Sequence, residues 1–249
     1  MRLSFTMVLS VAIAQSAATQ TPQDQPRDRT SDAKAPPPAM AVPADEVGFV
    51  PLFDGENLTG WISRGGKAEY RAEAGCIVGQ TRPNQPNSFL CTERDFADFE
   101  LRYEFRVDRE LNSGVQIRSH SRPEYQNGRV HGYQIEIDPS ERAWTAGLYE
   151  EGRRGWLQSP ADDAPSKSVF LQDGWNRVRV IAEGPRIRTW LNDVPVVDYI
   201  DHAPEAESSG FIGLQVHGVG GRTEPLEVRW RNLRIREIPG VSDTSEPSR

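Results

Sequence analysis

The chain has 249 residues, of which 37% are hydrophobic and 26% charged, and its formal net charge is -7. Basic residues are mixed with acidic ones along the chain, so the basic footprint of a nucleic-acid-binding protein is missing and no nucleic-acid partner is expected. Two Cys and four His are too few for a Cys/His zinc cluster. No apolar run reaches the roughly 18 residues that span a bilayer, so no membrane span is expected.

The N-terminal residues predict export. Residues 1–14 combine Arg2 with an apolar stretch that ends in small residues at Ala12 and Ala14, which is the pattern of a cleaved signal peptide. The alternative is a buried first helix. Residues 15–47 are rich in Pro, Gln, Asp, Ala and Thr, which predicts a disordered linker and argues against that alternative. We therefore expect a periplasmic or secreted protein.

Residues 48–238 predict a single β domain. Short runs of alternating apolar and polar residues are separated there by Gly, Asn, Asp and Pro, which favours an antiparallel sandwich or barrel. Asn192 and Asp193 are expected at the turn of a hairpin over residues 186–199. Residues 239–249 are polar and are expected to form a flexible tail. Examples of the predicted strands are residues 76–79, 99–107, 114–119, 132–138, 176–182, 186–191, 195–199, 210–216 and 226–237.

Three of these strands repeat one design, in which aliphatic side chains alternate with amides and ionisable groups. The polar positions are Gln116 and Arg118 in the first strand, Gln134, Glu136 and Asp138 in the second, and Gln215 and His217 in the third. Such side chains are suited to hydrogen bonding with hydroxyl-rich ligands. The alternative is that they form an ordinary solvent-exposed face of the sheet. If the sheet brings the three rows together, they line one groove.

A glycine-rich segment over residues 145–157 adds a second group of candidate residues. Gly147, Gly152 and Gly155 predict an irregular loop after a short strand. Aromatic side chains in such a loop can stack on a sugar ring, although Trp156 can equally fill the loop itself. The candidate site residues of this segment are Tyr149, Glu150, Arg153 and Trp156.

The two cysteines, Cys76 and Cys91, flank a turn-rich segment and lie 15 residues apart. In an oxidising compartment they could form a disulfide across a hairpin, which would stabilise the domain by roughly 3 kcal/mol. The alternative is a pair of buried thiols, because sequence spacing does not fix the distance between the two Cα atoms.

Motifs dispersed over residues 48–238 resemble those of one known family. They are the opening FVPLFDGENLTGW, followed by SGVQIRS, GYQIEID, GLYEEGRRGWL, WLNDVPVVDY, GFIGLQVHG and a closing VRWRNLRIREI. This pattern is similar to the DUF1080 family, also called the 3-keto-disaccharide hydrolase domain. The resemblance implies a concanavalin A-like jelly-roll sandwich that acts on glycosides with a ketone at C3. Gly132 stands where family members more often carry a Glu, so the resemblance leaves the catalytic base open.

The implied reaction removes the acidified C2 proton, expels the C1 substituent and adds water. We expect Glu136 or His217 as the base, Arg118 as the group that stabilises the enolate, and Tyr149 or Glu150 as the acid. The other candidates would bind the sugar: Gln116, Gln134, Asp138, Gln215, Arg153 and Trp156.

Three alternatives stay open at this point. A divalent metal ion on His217 with Glu136 or Asp138 could replace Arg118 as the electrophile. A non-catalytic, lectin-like module that binds carbohydrate would have the same fold. A glycosidase with two carboxylates would act directly on unoxidised sugars.

Overall fold

The computed structural model describes residues 47–239, and nearly all regular secondary structure in this part of the chain is short β-strands. A single turn of 3₁₀ helix, Pro165–Ser168, is the one helical element in the described range. In chain order the strands are β1 Val50–Pro51, β2 Trp61–Gly65, β3 Glu69–Glu73, β4 Cys76–Gln80, β5 Ser88–Phe96, β6 Phe99–Val107, β7 Ser113–His120, β8 His131–Ile137, β9 Leu148–Glu151, β10 Gly155–Gln158, β11 Asn176–Glu183, β12 Arg186–Leu191, β13 Val194–Ile200, β14 Gly210–Val216 and β15 Glu227–Glu237.

The strands form two antiparallel sheets, so the predicted all-β sandwich is confirmed. The first, here called sheet I, has the order β13-β12-β11-β6-β15-β4-β3, with β1 paired to β15. The second, sheet II, has the order β10-β9-β8-β7-β14-β5-β2. Strands distant in sequence are neighbours in sheet II, because β14 lies between β5 and β7. This crossing of the chain between sheets brings residues near 90, 116 and 213 together.

The core lies between the two sheets and follows the period-two alternation of the sequence. In sheet II, Val115, Ile135 and Leu214 point inward and are fully buried. In sheet I, Leu101 and Trp230 do the same. Burial of this apolar surface is the main stabilising contribution to the fold, at about 25 cal/mol per Å² removed from water.

The predicted hairpin is confirmed. β12 pairs with β13, and the turn between them consists of Asn192 and Asp193 at φ 48° and 70°. Left-handed values at both positions are those of a type I′ turn, whose twist matches that of the flanking strands. The strand predictions omitted five elements longer than two residues: β2, β3, β5, β9 and β10.

Of the two alternatives for the cysteines, the disulfide is not formed. Cys76 lies on β4 of sheet I and Cys91 on β5 of sheet II, and both are buried free thiols. The turn-rich segment between them therefore connects two sheets and does not close a hairpin. The alternative of two buried thiols is the one that the structure supports, and burial raises the pKa of Cys91 to about 12.

The predicted signal peptide and nearly all of the predicted linker and tail lie outside the described residues. Within residues 47–239, no helix is long and apolar enough to cross a bilayer.

Candidate functional site

The outer face of sheet II, turned away from the core, carries one continuous row of side chains across seven strands. The strand registers align Gln116 of β7 with Gln134 of β8, and Gln134 with Tyr149 of β9. In full, the row is Ile62, Cys91, Gly213, Gln116, Gln134, Tyr149 and Trp156. It runs from apolar residues at one edge through amides in the centre to aromatic rings at the other edge.

A second row lies directly beside the first and contains the carboxylate. Its members are Arg64, Phe89, Gln215, Gly114 and Glu136. Gly114 is required here, because a Cβ at this position would lie 2.6 Å from the Gln134 side chain. The missing side chain lets Gln134 lean across Gly114 toward both Gln215 and Glu136.

The three glutamines, here called the amide cluster, form a hydrogen-bonded chain that ends on Glu136. Gln116 Nε2 and Gln215 Nε2 both donate to Gln134 Oε1, at 2.5 Å and 2.8 Å. Gln134 Nε2 in turn donates to Glu136 Oε2 at 2.8 Å. Ser119 Oγ supplies the start of the chain by donating to Gln116 Oε1 at 2.8 Å. This arrangement agrees with the prediction that polar side chains of three strands lie together. The side chains are Gln116, Gln134, Gln215 and Glu136.

Glu136 is a buried carboxylate whose pKa is raised. Burial raises its pKa above the ordinary carboxyl value, although hydrogen bonds from Asn112 and Gln134 work in the opposite direction. Asn112 Nδ2 donates to Glu136 Oε1 at 2.6 Å. Neutral donors hold both carboxylate oxygens, and among the residues that the structure describes only the Arg142 cation is in ion-pair range, with its Nη2 3.7 Å from Oε1. A carboxylate with a raised pKa is suited to accept a proton near neutral pH.

Asp138 has a different environment two residues further on. Its carboxylate accepts hydrogen bonds from the Ser140 hydroxyl at 2.6 Å and from Arg142 Nε at 2.8 Å. Burial acts to raise the pKa of Asp138, but these hydrogen bonds outweigh it, and the pKa is lowered. Asp138 thus holds Arg142 in position beside Glu136.

An aromatic cluster borders the amide cluster at the β9–β10 edge. Trp156 packs edge-on against Trp144 and Tyr149, with ring centroids 4.6 Å and 5.2 Å apart. The guanidinium of Arg142 lies 4.5 Å from the Trp144 ring centroid. All three aromatic side chains are partly exposed, which is the condition for stacking on a ligand.

Arg118 does not lie on this face, so its predicted place in the groove is wrong. The pairing of β7 with β8 shifts register between Ile117 and His120, and Arg118 adopts φ 45°. This bulge turns the side chain away from the alternation pattern. The buried guanidinium instead donates to Ala97 O, Gly184 O and Asp98 Oδ1, each at 2.7 Å, and so fastens two turns together.

His217 is placed at the end of β14 but is exposed, and its Nδ1 lies 2.8 Å from Gly218 O. No three His, Cys, Asp or Glu residues between positions 47 and 239 are close enough together to hold a metal ion. The groups around the Asp138 and Glu136 carboxylates are amides, a hydroxyl and a guanidinium, which add no further anionic ligand to the two carboxylates. The residues proposed as metal ligands, His217, Glu136 and Asp138, therefore do not fit a metal site.

Two further candidates belong to a buried ion-pair network on the opposite side of β9. Glu150 pairs with Tyr133, which points into the core, and its carboxylate binds Arg154 and Arg153. Arg153 also forms an ion pair with Glu207 at 2.9 Å. The predicted roles of Glu150 as acid and Arg153 as sugar ligand are therefore wrong, because alternation places Glu150 on the face opposite Tyr149.

Three residues of this site, Asn112, Arg142 and Trp144, were not predicted from the sequence. Asn112 precedes β7 with the same parity as Gly114 and Gln116, so extending the alternation by one step could have found it. Arg142 and Trp144 lie in an irregular segment between β8 and β9, where no period indicates direction. Trp144 is partly exposed, whereas Trp61 and Trp230 are buried in the core.

A family model for the 3-keto-alpha-glucoside-1,2-lyase-like domain matches residues 48–236. The chain belongs to this family. The match covers every strand of the sandwich apart from the last residue of β15, and it confirms the resemblance identified in the motifs. The family relates the chain to carbohydrate chemistry, either as a glycoside-acting enzyme or as a binding domain. No curated protein sequence matches the chain significantly.

Solved structures with the same architecture support the concanavalin A-like fold. A protein from Parabacteroides distasonis described as a candidate glycosyl hydrolase is 17% identical, with a TM-score of 0.56 over 77% of this chain and 94% of the other. A galectin-like protein of unknown function from Bacillus subtilis is 14% identical, with a TM-score of 0.52 over 71% and 89%. The carbohydrate-binding module CBM66 from the same organism is 16% identical, with a TM-score of 0.50 over 73% and 98%.

Proposed function

We propose that the protein cleaves the glycosidic bond of 3-keto-glycosides by proton abstraction at C2, elimination and hydration. The observation that carries this proposal is Glu136, a buried carboxylate with a raised pKa that is held by neutral donors beside a partly exposed aromatic cluster. Family membership supports the reaction class. The sugar would bind on the outer face of sheet II, over the amide cluster.

In this proposal Glu136 is the base. The C3 ketone acidifies the C2–H bond, and the proton passes to the Glu136 carboxylate as an enolate forms. The enolate then reforms the ketone, a C1–C2 double bond appears and the C1–O bond breaks, so that the leaving alkoxide takes up a proton. Addition of water at C1 and return of a proton to C2 complete the net hydrolysis. General-base catalysis of this kind contributes about 10²–10⁴-fold.

Arg142 replaces Arg118 as the group proposed to stabilise the enolate oxygen. Its guanidinium lies beside Glu136 and is partly exposed, so it is accessible to a ligand that reaches the base. Asp138 fixes its orientation through the 2.8 Å hydrogen bond to Nε. A cation held in advance at the developing negative charge lowers the barrier without reorganisation during the reaction.

Tyr149 is the proposed acid for the leaving group. Burial raises its pKa, and the nearby carboxylates of Glu151 and Glu136 raise it further. The phenol therefore keeps its proton at neutral pH and can donate it to an alkoxide. Tyr149 is next to Gln134 in the strand register, which places it on the same face as the base.

The amide cluster and the aromatic cluster would orient the sugar ring. Gln215 is fully buried and its Oε1 has no hydrogen-bond partner among the described residues, so an unsatisfied acceptor lies beneath the proposed sugar site. Trp156 and Trp144 offer partly exposed ring surface at the edge of the cluster. Stacking of an apolar sugar face on such rings contributes about 1 kcal/mol per ring.

A paired-substrate assay tests the proposal. We expect turnover of a methyl 3-keto-glucoside and none of the matched unoxidised glucoside. Glu136→Gln should reduce kcat/KM at least about 100-fold. Glu93→Gln, which changes an exposed carboxylate on β5 of the same sheet, should leave it unchanged. Full activity of the Glu136→Gln variant would contradict the assignment of the base, and equal turnover of both substrates would indicate a two-carboxylate glycosidase.

A carbohydrate-binding module is the second candidate. The absence of Arg118, Glu150 and His217 from the amide cluster leaves a site made mainly of amides and aromatic rings, which favours this candidate. Binding of both sugars without turnover of either would indicate a module.

We further propose that the chain is exported to the periplasm or secreted, as its first 14 residues suggest. Cell fractionation and the N-terminal mass of the mature protein test this: a mature chain that begins after Ala14 is the expected result, and retention of Met1 or Arg2 in the mature protein contradicts it.

A further inference from the structure

Arg64 is a cation without a counter-charge on the outer face of sheet II. It belongs to the row that ends on Glu136, at the opposite edge of the sheet. Among the described residues its guanidinium has neither an ion pair nor a hydrogen bond, and its Nε is buried without a partner. Arg142, the guanidinium beside Glu136, is held by Asp138. A buried donor without a partner lowers stability, so such a group is expected where a ligand completes the surroundings.

The side chain of Arg64 extends inward, toward the amide cluster. Arg64 lies on the edge strand β2, and β5 separates this strand from β14. Its Cζ is nevertheless only 5.6 Å from the ring centroid of Phe211 on β14. Phe211 belongs to an apolar cluster, separate from the main core, with Phe89, Cys91 and Val130. The guanidinium therefore lies beside this apolar cluster and not over the edge of the sheet.

Phe211 in turn borders the amide cluster. A Cβ at Gly213 would lie 3.4 Å from the Phe211 ring and 3.2 Å from Cβ of Gln116, so both side chains adjoin the same glycine. Gln215, whose Oε1 has no partner among the described residues, is also on β14. The Arg64 guanidinium thus adjoins the place proposed for the sugar.

The proposed reaction determines which part of the sugar faces Arg64. Tyr149, the proposed acid for the leaving group, is on β9, on one side of Gln134. Arg64 approaches from β14, on the other side of the amide cluster. The cleaved bond at C1 and the guanidinium therefore lie at opposite ends of the sugar ring. In a hexopyranose, C4 and the C6 substituent are at the end away from C1.

We propose that the sugar bound on sheet II is acidic and that Arg64 binds its C6 carboxylate. This inference rests on the proposed function, because it names the class of glycoside that the same site takes, a 3-keto-glycoside of a uronic acid. A guanidinium can donate two parallel hydrogen bonds to one carboxylate, whereas a neutral C6 hydroxyl leaves its charge uncompensated. Contact with the Phe211 ring holds the guanidinium in place for this pairing.

Two sugars that differ only at C6 test the proposal, methyl 3-keto-glucuronide and methyl 3-keto-glucoside. We expect kcat/KM to be at least about tenfold higher for the glucuronide, mainly through a lower KM. The preference should decrease as salt is added, because the carboxylate and a partly exposed cation are screened. Equal kcat/KM for the two sugars would overturn the proposal.

Three variants assign the preference to its residue. Arg64→Gln should lower kcat/KM for the glucuronide about tenfold and so abolish the preference. Arg64→Lys keeps the charge but not the planar pair of donors, so it should retain part of the preference. Arg94→Gln is the matched control, since Arg94 is an exposed residue of β5 that pairs with Glu237. The control should retain the full preference, and circular dichroism verifies that each variant is folded.

A preference that survives Arg64→Gln, or that Arg94→Gln removes to the same extent, would overturn the assignment. The first result would place the carboxylate elsewhere on the face, and the second would indicate diffuse surface charge.

Titration calorimetry with methyl glucuronide and methyl glucoside separates this inference from the proposed reaction, because neither sugar contains the ketone that the reaction needs. Tighter binding of the glucuronide that depends on Arg64, with no turnover of either keto sugar, would support the acidic sugar and contradict the reaction. Turnover of both keto sugars with equal kcat/KM, and equal binding of the two unoxidised sugars, would support the reaction and overturn the role of Arg64.

Discussion

The two outer faces of the sandwich each bury a carboxylate, and they do so in opposite electrostatic surroundings. On sheet II, Glu136 accepts hydrogen bonds from the neutral Asn112 and Gln134, and burial keeps its pKa raised. On sheet I, burial also acts to raise the pKa of Glu100, but the guanidinium groups of Arg179 and Arg102 outweigh it and the pKa is lowered.

Glu100 is therefore a carboxylate whose charge stabilises the fold, whereas the charge of Glu136 destabilises it. Neutral donors satisfy the hydrogen-bonding capacity of a buried carboxylate, but they do not offset the loss of hydration of its charge. Nearby cations do offset it. Glu100 therefore belongs to the framework, whereas the protein tolerates an unfavourable charge at Glu136, as expected for a group kept ready to take up a proton.

The largest effect on stability is expected from removing the charge at Glu100. Glu100→Gln leaves Arg102, Arg179 and Arg236 without their shared partner. Breaking a fully buried pair costs about 3–5 kcal/mol, and because these arginines are partly solvated we expect about 2 kcal/mol. Urea denaturation measures the loss.

Asp198→Asn serves as the control for this change, because Asp198 pairs with Arg186 at an exposed position of the same sheet. Its urea midpoint should equal that of the wild type. If Glu100→Gln changed the urea midpoint as little as Asp198→Asn does, the charge of Glu100 would not stabilise the fold.

A smaller effect, of opposite sign on the two faces, is expected from pH. The folded pKa of Glu136 is raised, so its contribution to stability is fully present below the ordinary carboxyl pKa of 4.5 and is lost as the pH rises through the folded value. The folded pKa of Glu100 is lowered, so its contribution is present above 4.5 and is lost as the pH falls through the folded value.

Urea denaturation over a pH series measures both slopes against the glutamine variants. As the pH is lowered toward 4.5, the wild type should gain stability relative to Glu136→Gln, because the folded pKa of Glu136 is raised. Below about pH 4.5 it should lose its advantage over Glu100→Gln. If the unfolding free energies of all three proteins changed with pH in parallel, neither carboxylate would have a shifted pKa, and the contrast between Glu136 and Glu100 would be wrong.

The sequence predicted those parts of both faces that depend on local alternation. Gln116, Gln134, Glu136 and Gln215 follow from period-two strands, and the β12–β13 hairpin follows from its Asn-Asp turn. The predicted position of Arg118 was wrong because a β-bulge interrupts the alternation there. The bulge depends on how β7 pairs with β8.

Other features depend on contacts between distant segments. Arg142 reaches Glu136 from an irregular connection, and the three arginines that share Glu100 come from β6, β11 and β15. Spacing in one sequence carries no signal for such contacts, since they arise only when the sheets are assembled.

The smallest effect is expected at the two cysteines, one on each sheet. Cys76 packs on sheet I near Arg229 and Arg231, while Cys91 lies beside Gly213 on sheet II. Both are free, so a reducing agent should leave the thermal midpoint unchanged, and thiol titration of the denatured protein should count two thiols. A disulfide between them would stabilise the domain by roughly 3 kcal/mol and would lower the midpoint by several degrees when reduced. If reduction lowered the thermal midpoint by that much, Cys76 and Cys91 would be bonded. Strands β4 and β5 would then lie close enough for a disulfide between sheet I and sheet II, which contradicts the placement of the two cysteines described here.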